Sequence, residues 1–154
     1  MKEILVIYYS QTGQLLDILN NITSNMKEEE VRITLHEITP KKDFDFPWTQ
    51  ERFYDVFPES FLQIPVELLA PDSIVMAKKY DLVILGYQVW YLSPSIPINS
   101  FLKSEQAKAL LKDTPVITVV ACRNMWIKAH EKVKLWLHDL NANLVGHIAL
   151  VGRH

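Results

Sequence analysis

The stretch that decides the fold is ILVIYYSQTGQLLDIL, residues 4–19. It opens with Ile4 to Tyr9, a continuous apolar run rich in β-branched residues, which is typical of a strand covered on both faces in a parallel sheet. A hydroxyl-rich turn follows, and from Leu15 to Met26 apolar residues recur at helical spacing. A buried strand that leads through a short turn into an amphipathic helix predicts a β-α-β fold.

The rest of the chain continues this alternation. Further strands are predicted at Val31–Ile38, Tyr80–Gly86, Pro115–Cys122 and Leu144–Val151. The first of these alternates apolar and polar residues, which favours a position near a sheet edge. Two more apolar stripes at helical spacing consist of Ile98, Phe101, Leu102 and Leu110, and of Trp126, Ala129, Val133, Trp136, Leu137 and Leu140. Together they predict an α/β fold with a doubly wound, five-stranded parallel sheet, whose last covering helix is missing.

Composition limits the class of protein. The 154 residues are 49% hydrophobic and 22% charged, which fits one compact soluble domain over residues 1–154. The formal net charge of -2, without a basic stripe, argues against nucleic acid as a partner. A single cysteine, no secretory leader and no membrane-length apolar run predict a cytoplasmic protein without a membrane partner.

An irregular segment, Pro40–Lys79, separates two of the strands. It holds five of the eight prolines, so any helix in it is expected to be short or broken. Its aromatic residues between Phe44 and Phe61 are too many for an idle solvent loop. They would form either a wall for an apolar acceptor or a contact in a homodimer, and the sequence leaves both readings open.

Ligands of open α/β sheets bind beyond the carboxyl ends of the strands, and the first strand is followed there by a candidate anion site. Ser10, Thr12, Gly13, Gln14 and Leu15 belong to a turn that runs into a helix. Free N–H groups of that first helical turn, the hydroxyls and the helix dipole would hold one phosphate. The turn lacks the pattern of a Walker or dinucleotide loop, and the alternative is an ordinary helix N-cap at Thr12.

A second candidate segment follows the Tyr80 strand. Gln88, Val89, Trp90 and Tyr91 offer ring faces and backbone groups suited to a flat aromatic ligand. Alternatively, Trp90 caps the core and the nearby prolines only position the next helix. A phosphate turn and an aromatic loop on neighbouring strands are what a phosphorylated flavin needs at its two ends.

These two segments carry a resemblance to a known family. The run ILVIYYSQTGQL resembles the phosphate loop of flavodoxin-like proteins, and DLVILGYQVWYLSPSIPINSFL is similar to their second flavin loop, especially in NAD(P)H:quinone reductases and FMN reductases. The whole chain also resembles bacterial flavodoxin-like proteins that are labelled dialkylresorcinol condensing enzymes, although a flavodoxin-like site has no evident condensing chemistry. Leu15 departs from the family's threonine, and Gln88 from its proline or threonine.

The resemblance implies an FMN-dependent oxidoreductase with NAD(P)H as reductant and a small molecule as electron acceptor. The turn at 10–15 would hold the phosphate and residues 88–91 would lie along the isoalloxazine ring. A third loop, with Cys122, Arg123 and Asn124, would face the pyrimidine edge, although it lacks the family's glycines. The chemistry would occur on the flavin, so no catalytic side chain is expected.

Several readings stay open at this stage. Arg123 would either tune the flavin potential or form a surface ion pair. Cys122 is either a redox thiol or a small buried residue. The five histidines show no metal-ligand spacing, so no metal site is expected. A flavodoxin-like interaction module without cofactor and a one-electron carrier remain alternatives.

Overall fold

The computed structural model describes residues 2–9, 14–24, 26, 30–40, 68, 73–90, 93–122 and 127–151. The strands within them are β1 (Lys2–Tyr8), β2 (Val31–Glu37), β3 (Leu82–Trp90), β4 (Ser93–Pro94), β5 (Pro115–Cys122) and β6 (Asn143–Val151). The helices are α1 (Gln14–Thr23), α2 (Ser73–Met76), α3 (Ile96–Leu102), α4 (Glu105–Leu111) and α5 (Ile127–Asp139).

Five of the strands form the predicted parallel sheet, in the order β2-β1-β3-β5-β6. The continuous apolar runs of β1, β3 and β5 occupy its centre, where both faces of a strand are covered. The alternating strand β2 lies at one edge, as predicted. The winding direction changes between β1 and β3, since β2 lies on the far side of β1, and this places a topological switch point at their carboxyl ends.

Two hydrophobic clusters lie on opposite faces of the sheet. On the first face, Leu15 and Leu19 of α1 pack among Val6, Ile84 and Val119. The other face is covered by α2 to α5, and its largest fully buried side chains include Tyr87 and Phe101. Successive residues of each central strand point to opposite clusters. Both sets of side chains are therefore buried, and the strand must be apolar along its whole length.

The sequence predicted one helix from the stripe of Ile98, Phe101, Leu102 and Leu110, and this was wrong. Two short helices are present instead, because Ser104 interrupts the first and caps the second. Its Oγ accepts a hydrogen bond from the Ala107 N–H at 3.2 Å. Side-chain capping satisfies a donor that the first turn of a helix leaves open, so a new helix begins there.

The strand predicted to end at Gly86 continues to Trp90. Backbone pairing of Val89 with Pro94 and of Trp90 with Ser93 forms an antiparallel hairpin, and this pairing keeps the chain extended. The strand therefore ends four residues later than the sequence pattern predicted.

Little of the irregular segment falls within the described residues. Helix α2 has four residues, which agrees with the prediction of a short helix, and Pro40 forms an isolated antiparallel bridge with Leu68. The aromatic stretch from Phe44 to Phe61 lies outside the described residues. Among the helices that are described, none is long and apolar enough to cross a membrane.

Strand β6 presents apolar side chains on the face that α1 covers farther along the sheet. Val145, Ile148 and Leu150 are 54%, 38% and 39% exposed. The register shifts by one residue between Val116 and Ile117, which gives β6 a bulge at Val145.

Candidate functional site

The carboxyl ends of β1, β3 and β5 lie side by side and bring the three predicted flavin segments to one edge of the sheet. Tyr8 pairs with Gly86, and Gln88 pairs with Ala121. The turn at 10–13 follows β1 after Tyr9, residues 88–90 end β3, and the third loop follows Cys122. The ends of three strands that are far apart in sequence thus meet where open α/β sheets bind ligands.

Most of the predicted phosphate turn lies outside the described residues, including Ser10, Thr12 and Gly13. Gln14 begins α1, and Leu15 is completely buried in the cluster between α1 and the sheet. The Leu15 side chain therefore serves the core, and the group that it can offer to a ligand is its backbone N–H. This explains physically how a leucine can occupy the place of the family's threonine.

A close contact sets the position of α1 against the sheet. A Cβ on Gly86 would lie 2.9 Å from Cδ1 and 3.2 Å from Cδ2 of Leu19. Because only glycine leaves this space, α1 packs directly onto the β3 backbone. The first half of α1 is thereby held against β3.

The end of β3 is the best described part of the site. Gln88 and Val89 are half-buried, and the Gln88 carbonyl accepts a hydrogen bond from the Ser95 N–H at 2.8 Å. Tyr91 lies outside the described residues, and Trp90 is described by its backbone alone. The backbone of Gln88 is thus held by Ser95 of the hairpin and by its pairing with Ala121 of β5.

Buried polar atoms without partners gather at this hairpin. Among the described residues, no hydrogen-bond partner is present for Oε1 of Gln88, Oγ of Ser95 or Oδ1 of Asn99. Ser95 is completely buried and Asn99 is 2% exposed. Buried oxygens of this kind are nearly always satisfied in folded proteins, because an unsatisfied group costs about 1–3 kcal/mol. Gln88 is the least buried of the three and lies at the carboxyl end of β3, so an incoming ligand with N–H or O–H donors would satisfy its Oε1.

These residues fit the flavin that the sequence predicted. An isoalloxazine carries a ring N–H and carbonyl groups on one edge, and the Gln88 amide offers an acceptor and a donor to match them. Val89 packs instead against the cluster on the other face of the sheet, so its side chain is part of the core.

The third loop is described only up to its start. Ala121 is half-buried, and the backbone of Cys122 pairs with Val151 at the end of β5. Arg123 and Asn124 lie outside the described residues, so the predicted roles of Cys122, Arg123 and Asn124 stay predictions.

A histidine cluster lies near the end of β3, on the face of the sheet that α1 does not cover. The Tyr87 hydroxyl is 3.2 Å from Nδ1 of His130, and the Thr118 hydroxyl is 2.8 Å from Nδ1 of His147. The two imidazoles stack with ring centroids 3.7 Å apart and an interplanar angle of 25°. We refer to Tyr87, Thr118, His130 and His147 as the histidine cluster.

Burial keeps these imidazoles neutral. The pKa of His130 is lowered from 6.5 to about 4, first by burial and then by the neighbouring His147 and Lys134, while Glu131 opposes the shift. The pKa of His147 is also lowered, first by burial and then by Lys134. Both rings are therefore uncharged at neutral pH.

Sequence reasoning considered the histidines only as metal ligands and missed this cluster. A signal was present, because His130 lies on the apolar stripe of α5 with Val133 and Leu137, and His147 shares a face of β6 with Ala149. Over the described part of the chain, no group of three or more His, Cys, Asp or Glu residues is placed to hold a metal ion.

Comparison with solved structures places this architecture among flavodoxin-like folds. A flavoprotein from Lactobacillus acidophilus, solved in complex with FMN, is 20% identical with a TM-score of 0.74, and the match covers 97% of this chain and 93% of that one. Oxidised flavodoxin 1 from Bacillus cereus is 16% identical with a TM-score of 0.58, over 99% and 87% of the two chains.

An oxidoreductase from Corynebacterium diphtheriae is 15% identical with a TM-score of 0.57, over 97% of this chain and 81% of that one. No family model matches the sequence, and no curated protein matches it either. The likeness therefore defines the class: the chain has the flavodoxin-like α/β fold.

Proposed function

We propose that the chain binds FMN at the carboxyl edge of its sheet and is an oxidoreductase of the NAD(P)H:quinone reductase type. The observation that carries this proposal is the buried, unpartnered Oε1 of Gln88 at the end of β3. It lies on the strand beside β1, whose end leads into the predicted phosphate turn. The FMN complex of the Lactobacillus flavoprotein, which has the same fold, supports this choice of ligand.

The chain's own residues bind and orient the cofactor. Backbone N–H groups at the start of α1 would hold the phosphate, since Leu15 keeps its side chain in the core. Gln88 would fix the ring edge, and the hairpin of β3 with β4 would hold Gln88 in place. FMN, once bound, supplies two-electron chemistry that takes a hydride from NAD(P)H and passes it to a small acceptor such as a quinone.

Charge favours a reductase over a carrier. One-electron flavodoxins resemble acidic shuttles that dock on basic partners, whereas this chain has a net charge of only -2. A small, uncharged acceptor needs no strong surface field.

The test is reconstitution of the purified chain with FMN, followed by anaerobic addition of NADH or NADPH. We expect a flavin absorbance band that NAD(P)H bleaches and that a quinone restores. Gln88→Leu should weaken FMN binding about 5- to 100-fold, which corresponds to the loss of one buried hydrogen bond. Gln106→Leu in α4 is the matched control, because it makes the same change away from the carboxyl ends, and it should bind FMN like the unmodified chain.

Two other results would replace the proposal. Absence of FMN binding under all conditions would leave an interaction module that keeps the fold without the cofactor. Bound FMN that NAD(P)H does not reduce, but that a chemical reductant reduces in two separate one-electron steps, would indicate an electron carrier.

A further inference from the structure

The two edges of the sheet differ in charge. Edge strand β2 carries Arg32 and Glu37, both exposed, and charged side chains on an edge strand keep other strands from pairing with it. Strand β6, at the other edge, has no Asp, Glu, Lys or Arg among its nine residues. Its single histidine, His147, is neutral at neutral pH, because burial and then Lys134 lower the pKa of the imidazole. Within the described residues, β5 is the only strand that pairs with β6. The outer side of β6 therefore lacks the protection that β2 has.

Exposed apolar side chains are concentrated around this unprotected edge. Among the described residues, five of the seven large hydrophobic side chains that are exposed lie on β6 or on α5, which packs against β6. These five are Ile127, Leu135, Val145, Ile148 and Leu150. An exposed apolar cluster beside an edge strand without charges is typical of an interaction surface.

One flank of α5 faces outward beyond β6. His130 of this helix contacts Tyr87 of β3 and His147 of β6, so the helix lies above β5, the strand between them. On the side towards α3, the Lys103 Nζ lies 5.3 Å from the centroid of the Trp136 ring. Successive helical residues are about 100° apart, which puts four residues on the opposite flank. They are Ile127, Glu131, Lys134 and His138.

We propose that a second copy of this chain binds at this edge, through antiparallel pairing of the two β6 strands about a two-fold axis. The contact surface, which we call the β6 edge surface, consists of the outer flank of α5 and of Val145, Ile148 and Leu150 on β6. Pairing joins the two sheets into one and makes the apolar side chains of both β6 strands neighbours on one face. This inference goes beyond the proposed function and does not depend on FMN.

Charge complementarity on α5 favours a second copy as the partner. Two-fold symmetry places the two α5 helices antiparallel on the same face of the joined sheet. Three strand spacings separate the two β5 strands, so the helix axes would lie about 14 Å apart, a distance that two long side chains can span.

The positions of two charged residues fit this symmetry. Glu131 and Lys134 lie on either side of the middle of the flank, so Glu131 of each copy would face Lys134 of the partner subunit. His147 is the middle residue of β6 and stacks on His130, which lies beside the same point of α5. One axis can therefore pair the neutral strands and the opposite charges together.

Analytical ultracentrifugation of the purified chain tests the pairing. We expect a dimer with twice the 17.9 kDa mass of one chain. Val145→Lys adds a charge to β6 at a side chain that is 54% exposed, and should raise the dissociation constant of the dimer about 10-fold or more. Leu35→Lys in β2 is the matched control, because Leu35 is an apolar residue of the other edge strand and is 46% exposed. It should leave the dissociation constant unchanged, and the circular dichroism spectra of both variants should match that of the unmodified chain.

Charge reversal on α5 tests the two-fold arrangement without changing the strand. The side chains of Glu131 and Lys134 are 62% and 47% exposed, and they pair within the chain at 3.3 Å. Glu131→Lys and Lys134→Glu each place like charges across the axis, so each variant alone should dimerise about 3- to 10-fold more weakly.

An equal mixture of the two charge variants separates the contact between chains from the pair within a chain. In the heterodimer each charge again faces an opposite one, so heterodimers should form preferentially, with a dissociation constant near that of the unmodified chain. The pair within each chain stays broken in the mixture, so this recovery reports the contact between chains alone.

Three results would overturn the proposal. The first is a chain that stays monomeric at its highest soluble concentration. The second is a dimer that Val145→Lys leaves intact, or that Leu35→Lys weakens equally. The third is a mixture of the charge variants without preference for heterodimers. Absence of FMN binding would overturn the proposed function and leave this inference unaffected.

Discussion

Leu19 of α1 lies so close to the backbone of Gly86 in β3 that a Cβ at position 86 would be 2.9 Å from its Cδ1. Leu19 is 1% exposed and has little space into which it can move. This contact joins the helix that follows the predicted phosphate turn to the strand that carries Gln88. One pair of residues thereby fixes the position of α1 relative to β3, the two elements on which the candidate site is built.

Gly86→Ala should destabilise the fold by about 1 kcal/mol, and Gly86→Val by about 2–3 kcal/mol, because the added atoms overpack the contact with Leu19. Urea unfolding measures both. The cost of Gly86→Ala should vanish in a Leu19→Ala background, where the obstructing methyl groups are gone. Gly146→Ala is the matched control: its Cβ would lie 3.4 Å from Cγ1 of Ile117, so the change should be small. Equal costs at the two glycines would show that Leu19 is not the obstacle.

Ser104→Ala should cost about 1 kcal/mol of unfolding free energy, because the Ala107 N–H at the start of α4 loses its side-chain acceptor. Ser104→Thr keeps both the acceptor for the Ala107 N–H and the hydroxyl that donates to the Phe101 carbonyl at 2.6 Å, so it should stay within a few tenths of a kcal/mol of the unmodified chain. Thermal unfolding of the three chains provides the comparison. A loss of the same size for both substitutions would mean that the cap contributes nothing.

Asn141 and Asp113 both have left-handed backbone conformations, with φ of 58° and 57°. The Asn141 side-chain amide donates a hydrogen bond to Oδ1 of Asp113 at 2.6 Å. Asn141→Ala should destabilise by about 1–2 kcal/mol, since alanine tolerates this conformation poorly and lacks the amide. Asn141→Gly should cost less, because glycine adopts a positive φ freely. A larger loss for glycine than for alanine, in denaturant unfolding, would contradict the backbone argument.

Unfolding free energy should depend on pH between 6.5 and 4. The pKa of folded His130 is lowered from 6.5 to about 4 by burial, and that of His147 is lowered in the same direction. The unfolded chain therefore binds more protons in this window, so stability rises with pH and is lost as the pH falls from 6.5 towards 4. The slope is at most about 1.4 kcal/mol per pH unit for each histidine, and above pH 6.5 this contribution is constant.

Denaturant unfolding at pH 7.5 and 5.0 checks this slope, with His130→Asn expected to reduce it and exposed His138→Asn expected to leave it unchanged. An identical slope in all three chains would assign the pH dependence to other groups, such as carboxylates.

The order and type of most elements could be predicted from the sequence, since local patterns carry them. The β-branched runs of β1 and β5 and the alternation in β2 identified strands, their relative exposure and their place in the sheet. Pro115–Cys122 was predicted to the residue. In contrast, the division between α3 and α4 was missed, because apolar periodicity does not register a serine that ends one helix and caps the next.

The candidate site was only partly predictable. Local signals placed Gln88 and Leu15 in the site. They did not indicate that β3 continues through Gln88 or that Leu15 is buried. The histidine cluster was missed as well, since Tyr87 and His130 are 43 residues apart. Their contact depends on how α5 lies across β3 and β6.

The sequence by itself determined a parallel α/β sheet and the loops at which a phosphorylated flavin is expected, because hydrophobic periodicity and turn chemistry act over a few neighbouring residues. Only the tertiary structure decided the partners of the side chains. Among the described residues, it left Oε1 of Gln88 buried without a hydrogen-bond donor. It also packed Leu19 against the backbone of Gly86 and stacked His130 on His147. Burial and long-range contacts arise when distant segments pack, and no local pattern encodes them.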